Sequence, residues 1–247
     1  MAASPRLSII IPAHNEAQRI LPTLQKIDAF IQTRRYDIDV IIVDDGSTDK
    51  TVHVVNRFMQ GKPSFKLIQL ETNVGKGAAI KRGMLLATGA FRLFSDADLS
   101  TPIEEVEKFW PLMEGSDKAD VVIGSRRVPG AHILQRQPIY REVSGRIFSL
   151  LVRLCALRGF IDTQCGFKLF TAEAAQKIFS KQTIPGFGFD VEVLMLAKKK
   201  FGFKIKEAPV VWVDSRPTKV KLFKDSLRMF WDLFKIRLNW RAGHYDE

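Results

Sequence analysis

Phe94-Ser95-Asp96-Ala97-Asp98 places two carboxylates one residue apart directly after an apolar run. A strand that ends in Asp-x-Asp sets hard oxygen donors at the edge of a sheet. Such donors suit Mg²⁺ or Mn²⁺, which is usually held by a couple of carboxylates together with substrate phosphates. Asp also caps helices and opens turns, so the triplet takes its meaning from its company. Ile11-Pro12-Ala13-His14-Asn15-Glu16 and Val43-Asp44-Asp45-Gly46-Ser47 likewise put polar groups immediately after apolar runs. Three strand ends, all polar at the same end, predict one site.

Each neighbour has its own chemistry. A carboxylate at Asp44 or Asp45 can accept hydrogen bonds from a ribose or a base N–H, while Ser47 or Asp49 caps the helix that follows. Asn15 and Glu16 read either as a helix start or as groups meeting a nucleotide. Asn73-Val74-Gly75-Lys76-Gly77-Ala78-Ala79 sets two glycines and a lysine at a helix start, a setting suited to phosphate, without the spacing of a P-loop.

The elements that must position these groups follow from periodicity. Leu7–Ile11, Val40–Val43, Phe65–Leu70, Phe91–Phe94 and Val121–Ile123 are continuous apolar runs, the pattern of buried parallel strands. Helices are expected near Glu16–Ile31, Thr51–Met59, Gly77–Ala87 and Ile103–Met113, the last opened by a capping-box pattern at Thr101-Pro102-Ile103-Glu104. Alternating strands and helices imply right-handed crossovers and a doubly wound α/β sheet, whose ligands sit outside the carboxyl ends of the strands. Past Gly124-Ser125-Arg126-Arg127 the pattern predicts a helix over Ile139–Leu157, a strand within Asp162–Phe170 and a helix over Phe189–Lys200. Leu222–Leu238 is amphipathic, with Phe223, Leu227, Phe230, Phe234 and Leu238 on one face and Lys221, Lys224, Arg228, Asp232 and Lys235 on the other.

A chain of 247 residues, 46% hydrophobic, can bury a full core without staples. Cys155 and Cys165 fit no zinc or disulfide pattern, which points to a reducing compartment. The start enters a strand almost at once, leaving no room for a signal peptide, and no uncharged apolar stretch reaches the ~18 residues of a spanning helix. The net charge of +11 favours phosphate-bearing partners or anionic surfaces. Between Arg216 and Glu247 eight basic residues face four acidic ones among Phe, Leu and Trp, which suits a lipid interface rather than nucleic acid.

The order Pro-Ala-x-Asn-Glu, Val-Asp-Asp-Gly-Ser, Asn-x-Gly-Lys-Gly, Asp-x-Asp and Gly-Ser-Arg resembles the inverting family 2 glycosyltransferases of GT-A fold, over nearly the whole chain. Asp162-Thr163-Gln164-Cys165-Gly166-Phe167-Lys168 is similar to the subgroup that glycosylates polyprenyl phosphates, closest to the dolichyl-phosphate glucosyltransferases. The resemblance implies a domain over 1–215, with a nucleotide-sugar half (1–125) and an acceptor half (126–215), then a basic loop and interfacial helix over 216–247. It implies that Pro12, Ala13, Glu16, Asp44 and Asp45 line the nucleotide pocket, joined by Lys76 and Ala97. Asp96 and Asp98 would hold Mg²⁺ or Mn²⁺ against the donor diphosphate, Asp98 being catalytic. Arg126 and Arg141 would clamp the acceptor phosphate, and Arg216 and Lys219 would close over the diphosphate.

The implied reaction moves a hexose, glucose from UDP-glucose foremost, onto a polyprenyl phosphate at the cytoplasmic face of a membrane, to which the protein binds peripherally. A phosphate monoester is already an anion near neutral pH, with a second pKa of about 6, so no general base is nominated. A saccharide hydroxyl as acceptor would need one, and Asp162, Asp190 or Glu192 would be the places to look. Transfer of mannose from GDP-mannose and a non-catalytic nucleotide-binding scaffold are the other readings. Ser100 weighs against mannose, because mannose synthases of the family often carry Gln there.

Overall fold

The computed structural model describes residues 4–135, 159–214 and 222–246, the side chains of 222–226 excepted. Arg141, Arg216, Lys219 and the helix expected over Ile139–Leu157 lie outside the described residues. The centre of the fold is a seven-stranded sheet in the order β3-β2-β1-β4-β7-β5-β8. Its strands are β1 (Leu7–Ala13), β2 (Ile38–Asp45), β3 (Phe65–Leu70), β4 (Phe91–Ser95), β5 (Val121–Ser125), β7 (Phe167–Thr171) and β8 (Ile205–Pro209). β1, β2, β3 and β4 pair in parallel, as do β5 and β8. β6 (His132–Gln135) and β9 (Val211–Val213) form a separate two-stranded ribbon.

β7 is the one antiparallel member of the large sheet, lying between β4 and β5. Its register pairs Phe167 with Ser95, so the turn that feeds it arrives at the carboxyl ends of β4 and β5. The strand expected within Asp162–Phe170 therefore starts later, at Phe167, and Asp162–Gly166 is loop at the sheet edge.

Alternation along the strands builds two cores. Ile10, Val43, Phe94, Ile123 and Phe170 face α3 (Lys76–Leu86), α5 (Ala172–Lys181) and α6 (Phe189–Met195), the last continued by a π turn over Leu196–Lys200. Ile9, Ile11, Val40, Ile42, Leu93 and Leu169 face α1 (Ile20–Gln32), α2 (Thr51–Met59) and a 3₁₀ segment (Ile103–Phe109) that runs into α4 (Trp110–Glu114). The expected capping box does not form: no side chain caps this segment, and the Thr101 hydroxyl turns inward to within 3.9 Å of Cys165 Sγ.

The last helix, α7 (Leu222–Arg241), corrects the reading of its faces. It packs on the first core through Met229, Leu233 and Ile236, not through the stripe read from the sequence. Leu227, Trp231, Phe234 and Leu238 are 48–64% exposed, so the helix carries a second apolar face that looks outward.

Close packing of α3 on β1 depends on Gly83, where a Cβ would lie 2.5 Å from Ile10 Cγ2 and 3.1 Å from Val43 Cγ2. Both neighbours are stiff, β-branched and buried. Gly83→Val is expected to lower stability by about 1–3 kcal/mol in urea unfolding, as overpacked cores do; an unchanged midpoint would show that α3 can lift off the sheet freely.

Candidate active site

β4 delivers the Asp-x-Asp triplet to the sheet edge, where the Gly166 loop, α1 and the triplet's own following turn fix it. The Asp96 N–H donates to the Gly166 carbonyl (3.2 Å), and Thr23 of α1 donates its hydroxyl to the Ala97 carbonyl (2.6 Å). Ser100 N–H donates to Asp98 Oδ1 (3.0 Å). Gly166 lets the Asp96 carboxylate lie directly against the backbone; a Cβ there would make that carboxylate move. Leu99 is buried at φ +45°. A bulky side chain in that region stores strain, which persists only where surrounding structure over-determines the backbone.

On the β1–β2 side the polar residues form a linked set of loops. Asn15, at φ +54°, accepts from the Thr48 and Asp49 N–H groups (2.8 and 3.2 Å) while its own N–H donates to Ser47 Oγ. Glu16 makes a two-pronged ion pair with Arg19 (2.7 and 2.8 Å). Asp44 accepts from the Ser47 N–H and hydroxyl. Asp45 accepts from the N–H groups of Val74 and Gly75 (2.8 and 2.9 Å), fixing the turn that carries Lys76. Lys76 Nζ then reaches Asp96 Oδ1 at 2.5 Å. Pro12 and Ala13 end β1 beside Val43 and Asp44. The structure thus brings together every described residue expected at the donor side.

On the other side, Arg126 grips buried Asp162 through Nε (2.7 Å), Nη2 (2.8 Å) and its own N–H (3.0 Å). Burial acts to raise the Asp162 carboxyl, but the charge and hydrogen bonds of Arg126 outweigh it and hold the group at about 2. Arg126 is therefore braced by Asp162 at the point where it meets the edge. Lys168 is fully buried, with Nζ 2.5 Å from Asp190 Oδ1, 2.7 Å from the Cys165 carbonyl and 5.1 Å from the centre of the Phe94 ring. Glu192 accepts from Thr183, Ile184 and the Tyr245 hydroxyl. Asp162, Asp190 and Glu192, the carboxylates named above as candidate bases, are thus all engaged in holding the fold. Beside Asp98 opens a cavity of about 620 Å³, lined among others by Ser100, Glu104, Gln135 and Asp214. Gln135 and Asp214 carry no local sequence signal; the β6–β9 ribbon alone brings them here, Asp214 N–H donating to the Gln135 carbonyl (3.3 Å).

The family model described as glycosyl transferase family 2 matches residues 8–179. The chain belongs to glycosyl transferase family 2. A dolichyl-phosphate beta-glucosyltransferase of Trichomonas vaginalis is 35% identical over 96% of this chain and 72% of its own length. One from Saccharomyces cerevisiae is 35% identical over 97% of this chain and 76% of its own. In fold, the chain is similar to glucosyl-3-phosphoglycerate synthase from Mycobacterium tuberculosis, solved in complex with Mn²⁺ and UDP-glucose, at TM-score 0.67 and 20% identity over 94% of this chain and 79% of that one.

For a family 2 member the donor set at Asp96 and Asp98 fits a hard divalent cation. Burial and the charge of Asp96 push the Asp98 carboxyl upward, and the Lys76 ammonium pairs with Asp96 at 2.5 Å. Among the described residues no group of three or more His, Cys, Asp or Glu side chains gathers as a metal cage. Two carboxylates with the remaining ligands from substrate phosphate is the arrangement Mg²⁺ commonly takes.

The Arg126–Asp162 pair makes stability depend on pH. A carboxyl that ionises near 2 in the folded chain and at 3.8 when unperturbed contributes about 2 kcal/mol above pH ~4, lost as pH falls through 2. Comparing denaturation from pH 5 to pH 2, wild type should lose that much more than Asp162→Asn. Parallel curves would mean that the pair carries no linkage.

Proposed function

We propose that this chain transfers glucose from UDP-glucose to a dolichyl or other polyprenyl phosphate, with inversion, using Mg²⁺ or Mn²⁺. The observation that carries the reading is the meeting of Asp96 and Asp98 with the Asp162–Lys168 run at one sheet edge, in a chain whose curated relatives are named for glucose transfer to dolichyl phosphate. Those relatives favour neither mannose transfer nor a non-catalytic scaffold.

Asp96 and Asp98 would hold the ion, which supplies positive charge against the donor diphosphate as negative charge grows on the leaving group. Pro12, Ala13, Glu16, Asp44 and Asp45 shape the nucleotide side, and Lys76 adds a point charge where the diphosphate lies. Arg126, held by Asp162, presents its guanidinium for the acceptor phosphate; the parts that the family resemblance assigns to Arg141, Arg216 and Lys219 fall outside the described residues. The acceptor phosphate arrives ionised, so alignment and screening of charge replace proton abstraction. The engagement of Asp162, Asp190 and Glu192 in ion pairs and hydrogen bonds supports a mechanism without a general base.

The membrane side of the reading rests on α7. No helix among the described residues is long and apolar enough to cross a bilayer. The outward face of α7 carries Leu227, Trp231, Phe234 and Leu238, with exposed Arg228, Lys235, Arg237 and Arg241 along its flanks. Trp231, Phe230 and Phe234 cluster with ring centroids 5.0–6.4 Å apart. An apolar stripe edged with cations suits the boundary of an anionic bilayer.

The test is transfer of labelled sugar from UDP-glucose and, in parallel, GDP-mannose to a short polyprenyl phosphate, with Mg²⁺ or Mn²⁺ and with EDTA. Label should enter the lipid phase from UDP-glucose alone and only with metal; label from GDP-mannose alone would overturn the choice of donor. Asp98→Asn should lower kcat by about a hundredfold or more, since one charge-bearing ligand is lost at unchanged volume. Near wild-type turnover at saturating metal would remove Asp98 from the metal site. Trp231→Ser with Phe234→Ser should release the protein from anionic liposomes in a sedimentation assay without lowering Tm, because both rings are outward; persistent binding would move the membrane contact elsewhere.

A further inference from the structure

Three buried polar groups, Glu192, Tyr245 and Gln182, and the half-buried Asp232 take no part in that mechanism. They share one structural task. The loop over 182–188, between α5 and α6, lies against the turn that carries Lys76. Ala78 N–H donates to the Pro185 carbonyl (3.1 Å), and Gln182 Nε2 donates to the Gly77 carbonyl (3.0 Å). The contact is as close as backbones allow. A Cβ on Gly75 would lie 2.5 Å from the Pro185 oxygen, and one on Gly77 would lie 2.7 Å from the Ile184 oxygen.

The far side of the same loop is held by α6 and by the end of the chain. Glu192 of α6 accepts from Thr183 N–H (3.0 Å), Thr183 Oγ1 (2.6 Å) and Ile184 N–H (2.8 Å). Tyr245, just beyond α7, donates its hydroxyl to the same carboxylate at 2.7 Å, and Asn239 of α7 donates Nδ2 to Thr183 Oγ1 at 2.9 Å. Burial and the Glu192 charge push the Tyr245 phenol well above its ordinary range, so it remains a donor. Asp232 of α7 packs directly on Gly188, where a Cβ would lie 2.5 Å from both Asp232 Cβ and Oδ2.

We propose that Glu192, Tyr245, Asn239 and Asp232 are positioning residues for the donor site: through the loop over 182–188, α7 and its C-terminal turn fix the Gly75–Lys76–Gly77 backbone and thereby the point at which Lys76 meets a nucleoside diphosphate. The proposal rests on Lys76 as a donor contact. It makes the helix with the outward apolar face a part of the donor site's support as well. Asp45 holds Lys76's turn from the sheet side, and α7 holds it from the helix side.

Gly188 offers a wedge. Its φ of −69° suits alanine, so Gly188→Ala adds no backbone strain and acts only by pressing on Asp232. In the full chain in detergent, UDP binding by calorimetry, KM for UDP-glucose, KM for a short polyprenyl phosphate and Tm would be measured for Gly188→Ala, for Tyr245→Phe with Asn239→Ala, and for each combined with Lys76→Met. The expected result is about a fivefold rise in UDP Kd and UDP-glucose KM with acceptor KM unchanged, because small misplacements act on the group displaced. In the Lys76→Met background the same changes should add almost nothing, the signature of coupled sites. Unchanged UDP affinity in the folded variants, or full additivity with Lys76→Met, would overturn the proposal. Lys76→Met that leaves UDP affinity unaltered would overturn Lys76 as a donor contact, and the proposal with it. Should Gly188→Ala fail to fold, the Tyr245→Phe, Asn239→Ala pair decides, since it removes two hydrogen bonds without adding volume.

Discussion

Two carboxylates placed side by side at a sheet edge repel each other, and partial burial makes the repulsion harder to screen. Asp96 and Asp98 stand in that position, held by the backbone of Gly166, by Thr23 and by the strained turn at Leu99. The edge can keep both only if positive charge comes to it. Lys76 supplies one charge from α3, and Asp45 directs it there by gripping the Val74–Gly75 backbone. A divalent cation with a diphosphate is the other way to satisfy the same demand. Much of the surrounding architecture, from the glycines at 75, 77 and 166 to the antiparallel β7, serves to let chain segments approach these two aspartates closely.

The acceptor side obeys a similar economy of charge. Arg126 would be a mobile cation at the mouth of the site were it not locked by Asp162, whose own N–H is held by Glu207 at 2.9 Å. Lys168 and Asp190 neutralise each other beneath the triplet, where an unpaired ion would be strongly destabilising. Asp162 and Asp190 are both committed to these pairs, which agrees with the proposed acceptor, a phosphate that needs no deprotonation. Family 2 membership and the named activity of the relatives agree with that design.

Much of this was legible in the sequence. Continuous apolar runs located β1, β2, β4 and β5, because strands buried on both faces leave a strong local signal, and the expected bounds of edge strand β3 and of helix α2 match those observed. Polar residues directly after those runs marked the donor edge, since parallel strands must end together. What escaped were partners set by tertiary contact. Nothing near Asp45 tells that its carboxylate binds the backbone of residues 74 and 75, and nothing near Arg126 names Asp162. The capping pattern at Thr101 gave way because the hydroxyl had a place in the core beside Cys165. α7 has two apolar faces, and periodicity alone cannot tell which one the protein keeps. Met229, Leu233 and Ile236 face inward, and the more aromatic face is left outside.

In the proposed reaction Asp96 and Asp98 form a cation site completed by the donor diphosphate. The most direct measurement is Mn²⁺ binding followed by electron paramagnetic resonance, with and without UDP-glucose, on wild type and Asp98→Asn. The expected result is weak Mn²⁺ binding by the protein alone, strong binding once UDP-glucose is present, and loss of that gain in Asp98→Asn. Tight Mn²⁺ binding that needs no nucleotide sugar, or a gain that survives in Asp98→Asn, would contradict it.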